Sequence, residues 1–103
     1  MLRQWTVLNI AGNLFQKGLP DKYCIHNKYK QRWVELKNKN RYQFTKAQLE
    51  IFPLIDRTKI GIWVITEASE DEYAKLFEPP NWKKYLHPRD IKKIKEKYSF
   101  FQL

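Results

Sequence analysis

Three residues in the first half of the chain have types and a spacing suited to phosphoryl chemistry: Asp21, Glu35 and Lys37. The segment Arg32 to Lys37 (RWVELK) reads as a strand. Strand side chains alternate faces, so Trp33, Glu35 and Lys37 share one face while Arg32, Val34 and Leu36 take the other. Asp21 opens the preceding strand. A hairpin centred near Tyr29 predicts Glu35 across from about Tyr23 and Lys37 across from about Asp21. Two carboxylates and the Leu36 carbonyl then make a site of hard oxygens, the donors that Mg²⁺ or Mn²⁺ prefers. A metal held there would polarise a phosphoryl oxygen and acidify a bound water. Lys37 would orient that water or stabilise charge in the transition state. The same Glu-x-Lys pattern also fits a plain cross-strand charge pair.

The elements that must position these groups are legible around them. Trp5 to Ala11 reads as a first strand, ended by Gly12-Asn13. Gly18-Leu19-Pro20-Asp21 is a turn signal, Lys22 to His26 a second strand, and Asn27 to Gln31 a polar connection. Asn38 to Tyr42 is a basic loop. Thr45 caps a helix expected to run to about Asp56, with Pro53 expected to kink or shorten it. Gly61 to Thr66 (GIWVIT) is almost wholly apolar, which predicts a central strand. Ser69 opens a helix whose Glu70, Asp71 and Glu72 suit the helix dipole, and Pro79-Pro80 ends it. A segment with Trp82 and Tyr85 follows, Trp82 being expected as a core anchor. Pro88 and Asp90 then open a last helix to about Lys97, with Ile91, Ile94 and Tyr98 as its packing stripe. The order β-β-β-α-β-α-α predicts an α/β fold with a mixed sheet flanked by helices, in one domain over residues 1–103.

Composition narrows the function class. The 103 residues carry a net charge of +9 and are 16% aromatic, so disorder is disfavoured and a polyanion is a natural partner. The excess is uneven: residues 1–50 hold ten Lys/Arg against three Asp/Glu. The half with the candidate site is therefore the more basic half. Cys24 is the sole cysteine, which excludes an internal disulfide and a multi-thiolate zinc site. It is expected as a buried hydrophobe. His26 and His87 lack ligand spacing. No apolar run approaches membrane-spanning length and the N-terminus shows no signal-peptide pattern, so a reducing, cytoplasmic setting is expected.

Taken in order, Gly18-Leu19-Pro20-Asp21, Trp33-Val34-Glu35-Leu36-Lys37, Phe44-Thr45-Lys46-Ala47-Gln48 and Gly61-Ile62-Trp63-Val64-Ile65 resemble the PD-(D/E)xK nuclease superfamily. More narrowly they resemble its VRR-NUC branch and the Holliday junction resolvases. The resemblance covers about residues 5–66. It implies a restriction-endonuclease-like fold and Mg²⁺- or Mn²⁺-dependent hydrolysis of DNA phosphodiesters, on branched or junction DNA, by a homodimer. It implies Asp21 and Glu35 as metal ligands, Lys37 as the catalytic lysine, and Gln48 as an orienting group beside them. Gly18 would permit a tight approach ahead of Asp21. A viral or mobile-element origin is also implied. One departure stands out: family members usually begin with a helix bearing an acidic residue, and here no Asp or Glu precedes Asp21. That opens an alternative, a catalytically impaired nuclease fold that binds DNA or RNA.

The nucleic-acid contacts are expected next to the site. Lys39 and Arg41 follow Lys37 and would meet flanking phosphates, with Tyr42 packing on a sugar or base. Lys17 and Lys22 bracket Asp21 and would do the same. A second basic stretch, Lys83-Lys84 and Lys92 to Lys97, lies towards the C-terminus.

Overall fold

A computed structural model describes residues 4–9 and 18–103. The strands are β1 (Thr6–Asn9), β2 (Lys22–His26), β3 (Lys30–Leu36) and β4 (Ile62–Ile65). The helices are α1 (Lys46–Arg57), α2 (Glu70–Ala74) and α3 (Pro88–Lys97), with 3₁₀ turns at Lys75–Phe77 and Trp82–Tyr85. The sheet order is β1-β2-β3-β4. The first three strands are antiparallel neighbours, whereas β3 and β4 are parallel. Parallel neighbours need a crossover, and α1 supplies it. The result is an α/β fold with a mixed sheet, as the element order predicts.

Alternation along β3 sorts its side chains as expected. Trp33 packs against the cluster of Phe44, Leu49, Phe52, Ile62, Val64, Trp82, Leu86, Ile94 and Phe101, where α1 and α3 cover the sheet. Val34 faces the opposite cluster of Trp5, Cys24, Trp63, Ile65 and Leu76. Each fully buried large side chain contributes about 1.5–3 kcal/mol. Ile91 and Tyr98 join the first cluster, so the stripe of α3 does pack inward. Trp82 is 1% exposed, and its indole N–H donates to Asp56 at 3.1 Å. It is the expected core anchor. Cys24 is buried, and burial pushes its thiol up to about 11. On the same face the Arg32 guanidinium lies 4.2 Å from the Trp63 ring and 5.6 Å from the Trp5 ring.

Three expectations are corrected. The hairpin connection is shorter than residues 27–31, because Lys30 and Gln31 already belong to β3. The His26 imidazole Nδ1 accepts from the amides of Lys28 (3.0 Å) and Tyr29 (3.3 Å), which ties the turn tight. Lys30 takes a positive φ of 66° to re-enter the sheet. The register consequently centres on residue 28, with Tyr23 opposite Trp33 and Lys22 opposite Val34. Continued by one step, Asp21 falls opposite Glu35 and not Lys37.

The second correction concerns β4. It lies at the end of the sheet order, not in its middle, although all four residues are buried. Asn81 explains how. Its side-chain amide accepts from Val64 N–H at 2.6 Å and donates to Val64 C=O at 3.1 Å. It stands in for the backbone of a further strand, so a buried edge keeps its polar groups satisfied. Third, the helix opened by Ser69 is only five residues long before it tightens into a 3₁₀ turn. Helix α1 runs past the buried Pro53 to Arg57, close to its expected end at Asp56. The first strand is described only as far as Asn9, so the expected Ile10, Ala11 and Gly12-Asn13 lie outside the described residues.

Candidate functional site

The site is built where β3 faces the first turn of α1. Thr45 caps that helix: its hydroxyl accepts from Gln48 N–H at 3.1 Å, and the Gln48 side-chain oxygen accepts from Thr45 N–H at 3.1 Å. This reciprocal capping box fixes the Gln48 side chain before any partner is considered. Gln48 then reaches the sheet. Its Nε2 donates to Glu35 Oε2 at 2.7 Å, and its Oε1 accepts from Lys37 Nζ at 2.8 Å. Lys37 Nζ also lies 3.2 Å from Glu35 Oε2 and donates to the Gln43 carbonyl at 2.7 Å. An ammonium has three protons, and here three acceptors take them. The Phe44 ring sits 4.8 Å from the same nitrogen.

Glu35 is 3% exposed and Gln48 7%. Burial pushes the Glu35 carboxyl above the usual carboxylate range; the Gln48 hydrogen bond and the Lys37 charge pull the other way, and the Asp21 charge adds to the rise. Asp21 joins from β2's leading end. Its amide donates to Glu35 Oε1 at 3.2 Å, and its own Oδ2 accepts from Leu36 N–H at 3.0 Å. Within an extended residue the N–H and C=O point to the same side, so the Leu36 carbonyl faces the Asp21 side of β3 as well. The Leu36 side chain itself is turned out and exposed.

Gly18 explains how the Asp21 turn comes so close. Its φ is +91°, and a Cβ there would stand 2.6 Å from the Ala47 carbonyl oxygen and 2.9 Å from Ile51 Cγ1. Only glycine fits both the backbone angle and the space. The turn before Asp21 is thereby pressed against the helix that carries Gln48, which is the tight approach expected from the sequence.

The structure therefore brings Asp21, Glu35, Leu36, Lys37 and Gln48 together. It treats the expected nucleic-acid contacts less evenly. Lys22 pairs with Val34 on the face opposite Glu35, so it does not join the cluster, and its ammonium donates to Asn9. Lys39 forms an exposed ion pair with Glu67 at 3.5 Å. Tyr42 stacks on His87 at 5.5 Å and meets the Tyr85 ring edge-on at 5.1 Å. It is half-buried, with its ring already packed on these two neighbours. Arg41 is exposed at the rim of a cavity shared with Tyr42, Gln43, His87 and Arg89. Lys17 lies outside the described residues.

Two contributors escaped the sequence reading. The Gln43 carbonyl holds Lys37 without any side-chain signature. The second, the reciprocal cap, was visible in the Thr45-x-x-Gln48 spacing. Among the described residues no group of three or more His, Cys, Asp or Glu side chains is placed to hold a metal ion. The available donors are two carboxylates and a carbonyl, all hard oxygens, a set that fits Mg²⁺ or Mn²⁺ completed by water. Among the described residues no helix is long and apolar enough to cross a membrane. No family model, curated protein or solved structure matches this chain.

Proposed function

We propose that this chain is a Mg²⁺- or Mn²⁺-dependent nuclease domain of the PD-(D/E)xK type, with a restriction-endonuclease-like fold, that hydrolyses DNA phosphodiesters at branched or junction structures. The observation that carries the reading is the cluster of Glu35, Lys37 and Gln48, buried and mutually hydrogen-bonded, with the Asp21 carboxylate fixed beside it. A surface charge pair needs neither a buried glutamine between its members nor a second carboxylate pinned to the neighbouring amide.

Asp21, Glu35 Oε1 and the Leu36 carbonyl would hold the divalent ion, which supplies Lewis-acid activation of water and phosphate when bound. Glu35 Oε2 is engaged by Gln48 and Lys37, so Oε1, which among the described residues accepts from the Asp21 amide alone, is the oxygen with a lone pair left for that role. Gln48 keeps Glu35 and Lys37 in fixed orientation. Lys37 releases the Gln43 carbonyl to donate to the attacking water or to a phosphate oxygen, while Glu35 and Gln48 keep its nitrogen in place. In the in-line displacement water's oxygen bonds to phosphorus and gives up a proton to solvent, one P–O ester bond opens, and the departing oxygen takes up a proton from solvent.

The test is cleavage of duplex, flap and four-way junction DNA with Mg²⁺, Mn²⁺ or EDTA. Metal-dependent cutting, lost on Glu35→Ala and Lys37→Ala in protein that still folds, is the expected result. A second reading is a nucleic-acid-binding module that does not cut, and the presence of only two carboxylates in the described cluster favours it. Tight, salt-sensitive binding without cutting would select it. No binding at low salt would remove both.

A further inference from the structure

The cations expected to meet nucleic acid from the sequence are partly engaged elsewhere, but another set is free and lines a groove. Between α1 and α3 lies a cavity of about 410 Å³ whose wall includes Gln43, Lys46, Glu50, Arg89, Lys93 and Lys97. Its floor is apolar, formed by Phe44, Leu49 and Ile94. Arg89, Lys93 and Lys97 recur every four residues and so share one face of α3. Lys46 faces them from the first turn of α1.

The acids of the groove are spoken for. Glu50 pairs with Lys97 at 3.4 Å, and Asp90 is turned inward, accepting from His87 N–H at 3.2 Å as the helix cap. Among the described residues, Lys46, Arg89 and Lys93 carry no ion pair. Two of them, moreover, stand where helix electrostatics disfavours a cation: Lys46 is the first residue of α1 and Arg89 the second of α3. The two helices run in the same general sense, since the Tyr42 carbonyl just ahead of α1 meets His87 at the start of α3 (3.0 Å), while Glu50 meets Lys97 and Tyr98 at its far end. Their positive ends are therefore side by side at one end of the groove. Three unpaired cations stand around that end of the groove, where the one nearby carboxylate among the described residues, Asp90, is turned inward as the cap of α3.

A second cavity of about 400 Å³, lined by Asn40, Arg41, Tyr42, His87 and again by Gln43 and Arg89, adjoins the first. Gln43 is the link to the site, since its carbonyl holds the Lys37 ammonium. We propose that this α1/α3 groove seats the sugar-phosphate backbone of a nucleic-acid strand, with Lys46, Arg89 and Lys93 as its phosphate contacts and Arg41 continuing the track. The proposal rests on the nuclease reading only for the identity of the polyanion. The groove places the strand beside Lys37 and makes affinity depend on α3, a segment outside the region that resembles the nuclease family.

The experiment is a fluorescence-anisotropy titration of a labelled single strand and of the matching duplex, in EDTA, across a series of salt concentrations. Wild type is compared with Lys46→Gln/Arg89→Gln/Lys93→Gln and with a control of equal charge loss, Lys28→Gln/Lys84→Gln/Lys95→Gln. All six positions are exposed, and circular dichroism verifies the fold. The groove variant is expected to bind at least about tenfold more weakly at low salt, with a slope of log K against log salt shallower by about 2, as three lost single-strand contacts imply. The control is expected to change affinity by less than about threefold. Equal losses in both variants, or none in the groove variant, would overturn the proposal. Cleavage by wild type measured in parallel separates the two readings. If wild type does not cut yet the groove variant alone loses binding, the groove stands and catalysis falls. If wild type cuts and the groove variant binds and cuts equally well, the groove falls and catalysis stands.

Discussion

Replacing Gln48 by glutamate changes one atom of the site and should change its protonation. The new side chain keeps the acceptor that serves Thr45 N–H and Lys37. The other terminal atom, now an oxygen, faces Glu35 Oε2 at the present 2.7 Å. At an effective dielectric of about 20, like charges that close repel by about 6 kcal/mol, while the Lys37 ammonium at 2.8 Å returns an attraction of similar size. The Coulomb contributions nearly cancel, and burial decides. Position 48 is 7% exposed, so a second ionised carboxylate there has little water to solvate it. The pair is therefore expected to hold one shared proton well above the usual carboxylate range, and at pH 8 the uncompensated buried charge costs about 3 kcal/mol. The sign follows: the native pKa is raised, so stability is fully present below the unfolded-state carboxylate value and lost as pH rises through the native one. In a domain of this size the Tm of Gln48→Glu should lie roughly 12–20 °C below wild type near pH 8. The gap should close towards about pH 5 as the shared proton is taken up. Thermal melts in EDTA over that range measure it. A variant as stable as wild type near pH 8, or a gap that does not narrow with acid, would refute the hydrogen-bonded geometry of Glu35, Lys37 and Gln48.

Four further outcomes are expected. For the wild-type site itself, burial raises the Glu35 carboxyl, so its contribution is present below the unfolded carboxylate value and declines as pH rises through the raised one. The Tm difference in EDTA, wild type minus Glu35→Gln, should fall across that window, and a difference that grows with pH would contradict it. Gly18→Ala places a Cβ 2.6 Å from the Ala47 carbonyl at a φ of +91° and should destabilise the fold by about 1–3 kcal/mol in urea titrations. Asn81→Ala strips the partners from Val64 N–H and C=O, a loss of about 2–4 kcal/mol, and hydrogen exchange should show the Val64 amide losing protection. Cys24, with its thiol pushed up to about 11, should resist alkylation near pH 8 in native protein and react once urea unfolds it.

Much of this was readable in the sequence because it is local. Alternation in Arg32 to Lys37 put Glu35 and Lys37 on one face and Val34 on the other, and the two hydrophobic clusters divide along that line. Thr45 and Pro88 marked the helix starts that the structure shows. The misreadings were of things no single segment encodes. The hairpin register turned on how His26 folds back over Lys28 and Tyr29 and on a lysine in the left-handed region, where composition would suggest glycine. The place of β4 in the sheet was misjudged because its wholly apolar residues match a central strand. What buries its outer edge is a side chain 17 residues away, Asn81. The groove between α1 and α3 needed the packing of two helices far apart in sequence, although the four-residue spacing of Arg89, Lys93 and Lys97 was there to be seen.

The Asn81 amide also governs how copies of this domain could join. A sheet extends by adding a strand at an edge, and at Val64 that position is chemically taken. The opposite edge is β1, whose four residues are all exposed. Recruitment of another chain through the backbone is thus directed to one end of the molecule. Were two copies to meet there, edge to edge, β3 and its counterpart would be five inter-strand steps apart, about 24 Å at the usual spacing. Asn81 would in this way set how many strands stand between two Glu35–Lys37 sites in such a pair.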